Sequence, residues 1–300
     1  MATVHASKPR ALVLVSGRER LSFPLRRRGT AYRARVVLPR AGRWRYGVLV
    51  GRRTTFVGAV AVLPRRLRLG EPFDVVEQAD HSYLIADRTR DAVYRLRGRE
   101  LRKLVSVPNP RDLEPAPGGR VLIASGRNVL ALDPERGTVA TVATADNDVL
   151  GIARMADGAI VVSDFGSRLL RFDGGRKDVL ATGLDGVHGL LATDRGLIVC
   201  ESSTGRVLRL RGDGTIDVMG SGLDKPSFAA PAGDGALYVS EFGSGRISRL
   251  APPEAPTPVA QVPEPAAISV ASDGRLLVAS LIGRVARVDP ANGRVEWLYR

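Results

Sequence analysis

A short apolar segment that ends in a small residue and then in an acid or a serine recurs along most of this chain, as in Tyr83–Asp87 and Leu237–Glu241. The last residues of the six copies, Asp87, Ser125, Asp164, Glu201, Glu241 and Ser280, follow one another at steps of 38, 39, 37, 40 and 39 residues. Self-similarity at a fixed period of this length is typical of chains built from tandem copies of one small unit. From about residue 72 onward, the sequence therefore predicts six copies of one unit.

Each copy has the sequence signals of antiparallel strands. A turn such as Asp157-Gly158 or Asp234-Gly235 precedes the apolar segment, and a second alternating segment such as Val93–Leu96 follows it. With a shorter strand before and another after, four strands make one unit. Helical repeats of similar period are excluded, because Gly and Pro interrupt every candidate helix. A four-stranded sheet this small cannot cover its own faces, so we expect the units to pack around an axis as a six-bladed β-propeller.

The period also sets the expected bounds of the six blades. They are residues 72–108, 109–146, 147–184, 185–223, 224–262 and 263–300. A closed ring needs its first and last blades joined, and the outermost strand at that junction is expected to be either Val295–Leu298 or Leu67–Leu69. The sequence leaves both alternatives open.

Residues 1–63 form a different module, followed by a linker at residues 64–71. Five short strands are predicted: Ala11–Val15, Leu21–Leu25, Ala31–Leu38, Trp44–Val50 and Thr55–Leu63. Alternation in the third and fourth of them, from Tyr32 and from Trp44, indicates one buried and one solvated face. The fold class is therefore all-β throughout.

The positive charge of the chain is concentrated in this first module. Of 45 Lys and Arg residues, 17 lie before residue 71, but only one of the 31 acidic residues, Glu19, does. Such a module would attract an anionic surface or polymer. The alternative, which we favour, is that these arginines occupy the solvated faces of ordinary strands. Nucleic acid is the least favoured partner, because no aromatic residues are interleaved for base stacking.

Several common kinds of protein are disfavoured by what the sequence lacks. No apolar run approaches the roughly 20 residues of a membrane helix, and Met1–Arg10 has no signal-peptide core. The single Cys200 excludes an internal disulfide. Three histidines, no Cys pair and no Gly-x-Ser-x-Gly motif argue against zinc enzymes and triad hydrolases.

Two family resemblances are carried by local motifs. The repeated pattern resembles the NHL-repeat, gluconolactonase-like and virginiamycin B lyase-like six-bladed propellers, and residues 226–250 show it most clearly. This resemblance covers about three-quarters of the chain. It implies the scaffold more strongly than any activity. Residues 32–44 resemble small immunoglobulin-like domains of the YtkA type in bacterial envelope proteins. That resemblance implies an Ig-like β-sandwich and an extracytoplasmic bacterial location.

In a propeller, equivalent positions from all blades converge at the central channel. The expected ring there is Asp74, Asp112, Gly151, His188, Phe228 and Ala267. Asp74, Asp112 and Phe228 are the candidate ligand-binding residues. Asp74, Asp112 and His188 together would suit a divalent cation or acid–base chemistry. The competing interpretation, which we favour, is that these polar groups hydrogen-bond neighbouring backbone.

A second ring is expected from the six residues that end the repeated apolar segments. Acids at one recurring position more often brace backbone N–H groups than perform chemistry. The resemblance to the lyases singles out His188 as a catalytic base and Glu201 as a ligand of Mg²⁺. Those lyases also carry a Glu two positions before the histidine, where this chain has Gly186.

The leading functional hypothesis is a noncatalytic propeller that binds a small molecule or a protein at its channel face, with a basic docking module. The alternative is a lyase or lactonase-like hydrolase that depends on a divalent cation, Mg²⁺ or Ca²⁺, held at the channel mouth. A complete scaffold with an incomplete catalytic set favours the first hypothesis, and the sequence leaves open whether the protein is an enzyme.

Overall fold

The computed structural model describes residues 2–4, 10–28, 31–39, 41–50, 52–62, 67–165 and 167–299. The chain divides into two compact units, residues 1–67 and residues 68–300. Part of the predicted linker, residues 64–66, lies outside the described residues. The described residues form strands and two short 3₁₀ turns, with no α-helix. None of the helical segments among them could cross a membrane.

The first unit contains two antiparallel sheets. Its strands are β1 (Ala2–Val4), β2 (Ala11–Ser16), β3 (Glu19–Pro24), β4 (Arg26–Arg28), β5 (Ala31–Ala34), β6 (Gly42–Val50) and β7 (Arg53–Val62). The four-stranded sheet has the order β3-β2-β6-β7, and the three-stranded sheet has the order β1-β5-β4. Leu12, Leu14, Ala34 and the fully buried Trp44 form the core of the unit.

This architecture corrects the prediction of five strands, since the described residues of the first unit form seven. The two additional strands, β1 and β4, have three residues each, and β4 consists of three arginines, so neither shows apolar alternation. The strand predicted over 31–38 ends at Ala34, although Val36 and Leu38 still pack against the core. Val50 is 41% exposed because it lies at the hairpin end of β6, paired with Arg53.

The second unit consists of six four-stranded sheets, each built from one continuous stretch of chain. The first three are β8 (Pro72–Glu77), β9 (Tyr83–Asp87), β10 (Ala92–Arg97), β11 (Glu100–Ser106); β12 (Pro110–Ala116), β13 (Arg120–Ser125), β14 (Asn128–Asp133), β15 (Thr138–Thr144); and β16 (Val149–Arg154), β17 (Ile160–Asp164), β18 (Arg168–Asp173), β19 (Arg176–Ala181). The 3₁₀ turns are Arg88–Arg90 and Pro117–Gly119.

The remaining three sheets repeat this pattern. They are β20 (Val187–Thr193), β21 (Gly196–Glu201), β22 (Arg206–Leu210), β23 (Ile216–Gly220); β24 (Pro226–Pro231), β25 (Leu237–Glu241), β26 (Arg246–Leu250), β27 (Thr257–Gln261); and β28 (Pro265–Val270), β29 (Leu276–Ser280), β30 (Arg284–Val288), β31 (Val295–Tyr299). All neighbouring strands are antiparallel and lie side by side in chain order. We refer to the first strand of each sheet as its inner strand.

The inner strands place the six sheets around a common centre. Each inner strand contacts the inner strand of the next sheet, and β28 of the sixth sheet contacts β8 of the first. Every interface between successive sheets also buries its own apolar cluster, such as Val76, Leu84 and Leu113 between the first two. Packing of this kind supplies the burial that a lone sheet lacks. The described residues of both units hold seven four-stranded sheets and are all-β, and the six of the second unit are consistent with a β-propeller.

The junction between the sixth and first sheets resolves the alternatives left open by the sequence. Val295–Tyr299 is the fourth strand of the sixth sheet, whereas Leu67–Leu69 is not a strand. Leu69 is buried among residues of both sheets, including Leu277. The Ser269 hydroxyl donates to the Val75 carbonyl oxygen at 2.8 Å. Side-chain packing and hydrogen bonds therefore join the two sheets, and no strand is exchanged between them.

Candidate functional site

The third residue of each inner strand forms a ring of equivalent positions. The pairing register assigns Asp74, Asp112, Gly151, Gly189, Phe228 and Ala267 to it. The sequence-based ring was wrong at one place, because His188 is the second residue of its strand. The hairpin Val187–Glu201 of the fourth sheet is one residue shorter than the hairpin Val149–Asp164 of the third. The step of 37 residues from Asp164 to Glu201, added to Gly151, therefore gives His188, one residue before the ring position of Gly189.

Asp74 and Asp112 tie the first three inner strands together. The backbone N–H of Leu113 donates to Asp74 Oδ2 at 2.7 Å, and that of Ile152 donates to Asp112 Oδ2 at 2.5 Å. Only 3% and 6% of the two aspartates is exposed. Burial raises the pKa of Asp74 to about 6, despite these hydrogen bonds. Burial, and then the neighbouring Asp74 carboxylate, raises the pKa of Asp112 well above its usual value.

These two carboxyl groups line an open cavity of about 470 Å³ among the inner strands. Phe228 lines the same cavity, so the structure brings together all three predicted ligand-binding residues. Much of the remaining wall is apolar: Val76, Leu113, Pro115, Leu190, Leu191, Ala229, Ala230, Pro231, Ile268 and Val270. A concave, mostly apolar surface with a few convergent polar groups is the usual form of a small-molecule site.

Two more carboxyl groups line this cavity, those of Glu77 and Glu114, and the sequence analysis missed both. Glu77 accepts the Ser272 backbone N–H at 2.6 Å. Burial raises the pKa of Glu114 to about 7, and the Asp74 carboxylate adds to the shift. Glu114 follows Asp112 by two residues in β12, and residues two apart in a strand face the same side of the sheet. That spacing was the signal that could have identified it.

Phe228 closes part of the ring by packing across it. Its ring meets that of Phe73 edge to face, with 6.0 Å between the ring centres and 79° between the planes. It also lies directly over Gly189, where an added Cβ would come within 2.6 Å of the Phe228 Cγ. The Phe228 ring can therefore occupy this position only because residue 189 has no side chain.

His188 and Glu201 take part in different interactions. The His188 Nδ1 lies 3.4 Å from the Ser227 hydroxyl oxygen. Burial, and then the positive charge of Arg111, lowers the pKa of His188 below its ordinary value. Glu201 is 1% exposed, accepts the Asp185 backbone N–H at 3.0 Å, and pairs with the Arg206 Nη2 at 2.6 Å. In the described part of the chain, no hydrogen bond or ion pair joins His188 to Glu201.

The contacts of Glu201 recur at the equivalent position of every sheet. Each residue that ends a second strand hydrogen-bonds the residue two positions before the inner strand of its own sheet. The pairs are Asp87 with Gly70, Ser125 with Pro108, Asp164 with Asn147, Glu201 with Asp185, Glu241 with Asp224, and Ser280 with Pro263. The three acids Asp87, Glu201 and Glu241 accept a backbone N–H, Asp164 accepts the Asn147 side-chain amide, and the two serines donate to a backbone carbonyl oxygen. A hydrogen bond between the same two positions in all six sheets indicates a structural brace, which holds the start of each inner strand to its own sheet.

The metal site implied by the lyase resemblance does not fit the residues present. Gly186 has a left-handed backbone with φ of +63°, and a Cβ there would collide with the Ser203 side chain, so the chain has no room for a glutamate. Nowhere in the described ranges do three or more His, Cys, Asp or Glu residues form a group that could hold a metal ion.

Known proteins resemble this chain in fold but not in sequence. No protein-family model and no curated protein matches the chain. A virginiamycin B lyase structure from Staphylococcus aureus is 17% identical, with a TM-score of 0.58 over 77% of this chain and 86% of that one. A gluconolactonase from Xanthomonas campestris is 21% identical, with a TM-score of 0.55 over 79% and 88%.

An auxiliary nutrient-binding protein from Bacteroides thetaiotaomicron is 10% identical, with a TM-score of 0.64 over 95% of this chain and 90% of that one. Enzymes and a binding protein therefore share this fold, and identities this low establish likeness of fold alone. The structural neighbours support the assignment of the chain to the β-propeller group.

Proposed function

We propose that this chain is a noncatalytic ligand-binding protein, in which the six sheets are the blades of a six-bladed β-propeller. The observation that carries the proposal is the cavity that Asp74, Asp112, Glu114 and Phe228 line together. The enzymatic alternative needs His188 and Glu201 to act together. Glu201 instead pairs with an arginine and hydrogen-bonds backbone of its own sheet.

The chemistry of the cavity defines the class of ligand. Three carboxyl groups with raised pKa values, the buried Asp74 and Asp112 and the partly buried Glu114, would ionise more readily beside a positive charge, since an opposite charge stabilises the carboxylate. The apolar wall and Phe228 suit a hydrocarbon or aromatic body. The ligand we propose is a small molecule that carries one basic nitrogen on an apolar body.

Binding of 2-phenylethylamine tests this proposal, with 2-phenylethanol as its uncharged counterpart. In calorimetric titrations at about pH 8, we expect the amine to bind the full chain and the alcohol to bind at least roughly tenfold more weakly. Asp112→Asn keeps an oxygen for the Ile152 N–H but removes the charge, and should weaken amine binding by about tenfold. Asp194→Asn, at an exposed hairpin, should leave it unchanged. Equal binding of amine and alcohol would contradict the proposal.

The enzymatic alternative makes a different prediction about metal ions. A site that uses His188 and Glu201 would let Mg²⁺ or Ca²⁺ stabilise the wild-type chain and lose that stabilisation in His188→Ala and Glu201→Ala. We expect both ions to change the melting temperature of the wild-type chain and the two variants by the same amount. A shift that disappears in either variant would favour the lyase or hydrolase and count against a noncatalytic protein.

For the first unit we propose an Ig-like β-sandwich that docks to an anionic surface or polymer. Its support is the arginine content of residues 1–70 and the short strand Arg26–Arg28. Arg26 and Arg27 are exposed, and long-range attraction from such a surface would be weakened by salt. The extracytoplasmic location stays a prediction from the sequence resemblance.

A further inference from the structure

A second polar group lies where the inner strands begin. Arg111, His188 and Ser227 each come one residue before the ring in their own strands, and Arg88 follows the second strand of the first sheet and pairs with Glu71. We call these four residues the basic mouth. Burial, and then the positive charge of Arg111, lowers the pKa of His188. Burial also lowers the pKa of Arg111, and the positive charge of Arg88 adds to that shift while the Asp148 carboxylate opposes it. Neither Arg111 nor His188 lines the acidic cavity. The basic mouth is thus a separate group of opposite charge.

Arg111 is the least compensated member of this group. Its side chain is 15% exposed, and its buried Nε has no hydrogen-bond partner within the part of the chain that the structure describes. Its carboxylate neighbour, Asp148, is 3.8 Å away and 47% exposed, which makes a weak ion pair. Arg88, in contrast, pairs with Glu71 at 2.5 Å. A buried guanidinium group with so little compensation is costly, and an anion placed beside it would reduce that cost.

Exposed aromatic rings occur on the turns beside the basic mouth. Phe165 and Phe242 follow the second strands of the third and fifth sheets and are 67% and 37% exposed. The Phe165 backbone N–H donates to the carbonyl oxygen of Asp148, the neighbour of Arg111, at 3.0 Å. The fourth sheet, which carries His188, stands between the two turns. Phe242 donates its backbone N–H to the carbonyl oxygen of Lys225, two residues before Ser227, at 3.0 Å. Apolar surface therefore lies near the mostly buried Arg111 and near Ser227.

We propose that the basic mouth binds the carboxylate group of a small monoanionic ligand, whose apolar body contacts Phe165 and Phe242. A guanidinium group matches the two oxygens of a carboxylate with two parallel hydrogen bonds. The His188 ring and the Ser227 hydroxyl offer further donors. One carboxylate balances the one undercompensated charge, whereas a phosphate dianion would exceed it. This site differs from the amine-binding cavity in position and in charge, so either can exist without the other.

Phenylacetate is the test ligand, with phenylacetamide as its uncharged counterpart and inorganic phosphate as the competing anion. In calorimetric titrations of the full chain, we expect phenylacetate to bind at least roughly tenfold more tightly than either. Arg111→Gln should weaken phenylacetate binding by about tenfold. Arg209→Gln is the matched control, because Arg209 also has a buried Nε with no hydrogen-bond partner among the described residues but lies in the third strand of the fourth sheet. It should bind phenylacetate like the wild type.

Asp148→Asn provides a second test of the proposal, which holds even if Arg111→Gln fails to fold. The Asp148 side chain is half exposed and competes with the ligand for Arg111, so its neutralisation should tighten phenylacetate binding by roughly threefold to tenfold. Unchanged or weaker binding in this variant would overturn the proposal. Equal affinity for phenylacetamide, or tighter binding of phosphate than of phenylacetate, would overturn it as well.

Discussion

At about pH 8, Glu114→Gln is expected to raise the free energy of unfolding of the second unit by about 2 kcal/mol. Burial raises the pKa of this carboxyl from 4.5 to about 7, so ionising it costs more in the folded chain than in the unfolded one. Each pKa unit corresponds to about 1.4 kcal/mol, and partial exposure reduces the full figure. Glutamine keeps an acceptor for the backbone hydrogen bond from Arg154 but carries no charge.

The direction of the pH dependence follows from the sign of the shift. A raised carboxyl pKa means that the folded chain holds its proton more tightly than the unfolded chain. Wild-type stability should therefore fall as pH rises from about 4 to about 7, and Asp74, with a pKa of about 6, adds to the fall. In Glu114→Gln the fall should be smaller, and at about pH 4 the two chains should be nearly equal in stability.

Urea unfolding measures this difference through the fluorescence of Trp297 in the sixth sheet, with Trp44→Phe in every chain to remove the signal of the first unit. Glu100→Gln, at an exposed position of β11, is the control and should follow the wild type at every pH. Parallel pH profiles for wild type and Glu114→Gln would contradict the prediction, because they would show that the cavity does not raise the pKa of Glu114.

Gly151→Ala should destabilise the second unit by about 3 kcal/mol. A Cβ on Gly151 would overlap the carbonyl oxygen of His188 and come within 3.1 Å of the Gly189 Cα and the Leu190 nitrogen. These are backbone atoms, so no change of rotamer can make room. The inner strands of the third and fourth sheets would have to separate, and the contact between Phe228 and Gly189 would be disturbed.

Gly212→Ala is the matched control, since an added Cβ there meets no atom within 4 Å and the backbone is not left-handed. Its free energy of unfolding, measured by urea denaturation, should stay within about 0.5 kcal/mol of the wild type. Equal stability of Gly151→Ala and Gly212→Ala would mean that the two inner strands are less closely packed than the structure shows.

The carboxyl groups that weaken the fold near neutral pH are those on which the proposed amine site depends. If the cavity binds a cation, Glu114→Gln should be more stable and also bind the amine less well. Such a trade between stability and binding is common at functional sites. Asp87 and Glu201, in contrast, act as braces, and a brace at the same position in all six sheets, whether from an acid or a serine, explains why acids there are weak evidence for chemistry.

The 39-residue period, the turn residues and the strand alternation were enough to predict an all-β chain of repeated four-stranded units. They were also enough to place Asp74, Asp112 and Phe228 at equivalent positions of one ring, because the period aligns the inner strands; their role in ligand binding stays a prediction. The prediction erred at His188, where a hairpin one residue shorter changed the register. It missed β1 and β4, because three residues are too few to show a period and β4 consists of arginine alone.

What the sequence determined by itself was local: strand alternation and turn chemistry act between near neighbours and repeat at a fixed spacing. What only the tertiary structure decided was which residues from distant repeats meet. The Asp74–Leu113 hydrogen bond, the contact of Phe228 with Phe73, and the undercompensated charge of Arg111 all depend on the packing of different sheets. Burial and pairing of side chains set their pKa values and binding chemistry, and neither can be read from spacing along the chain.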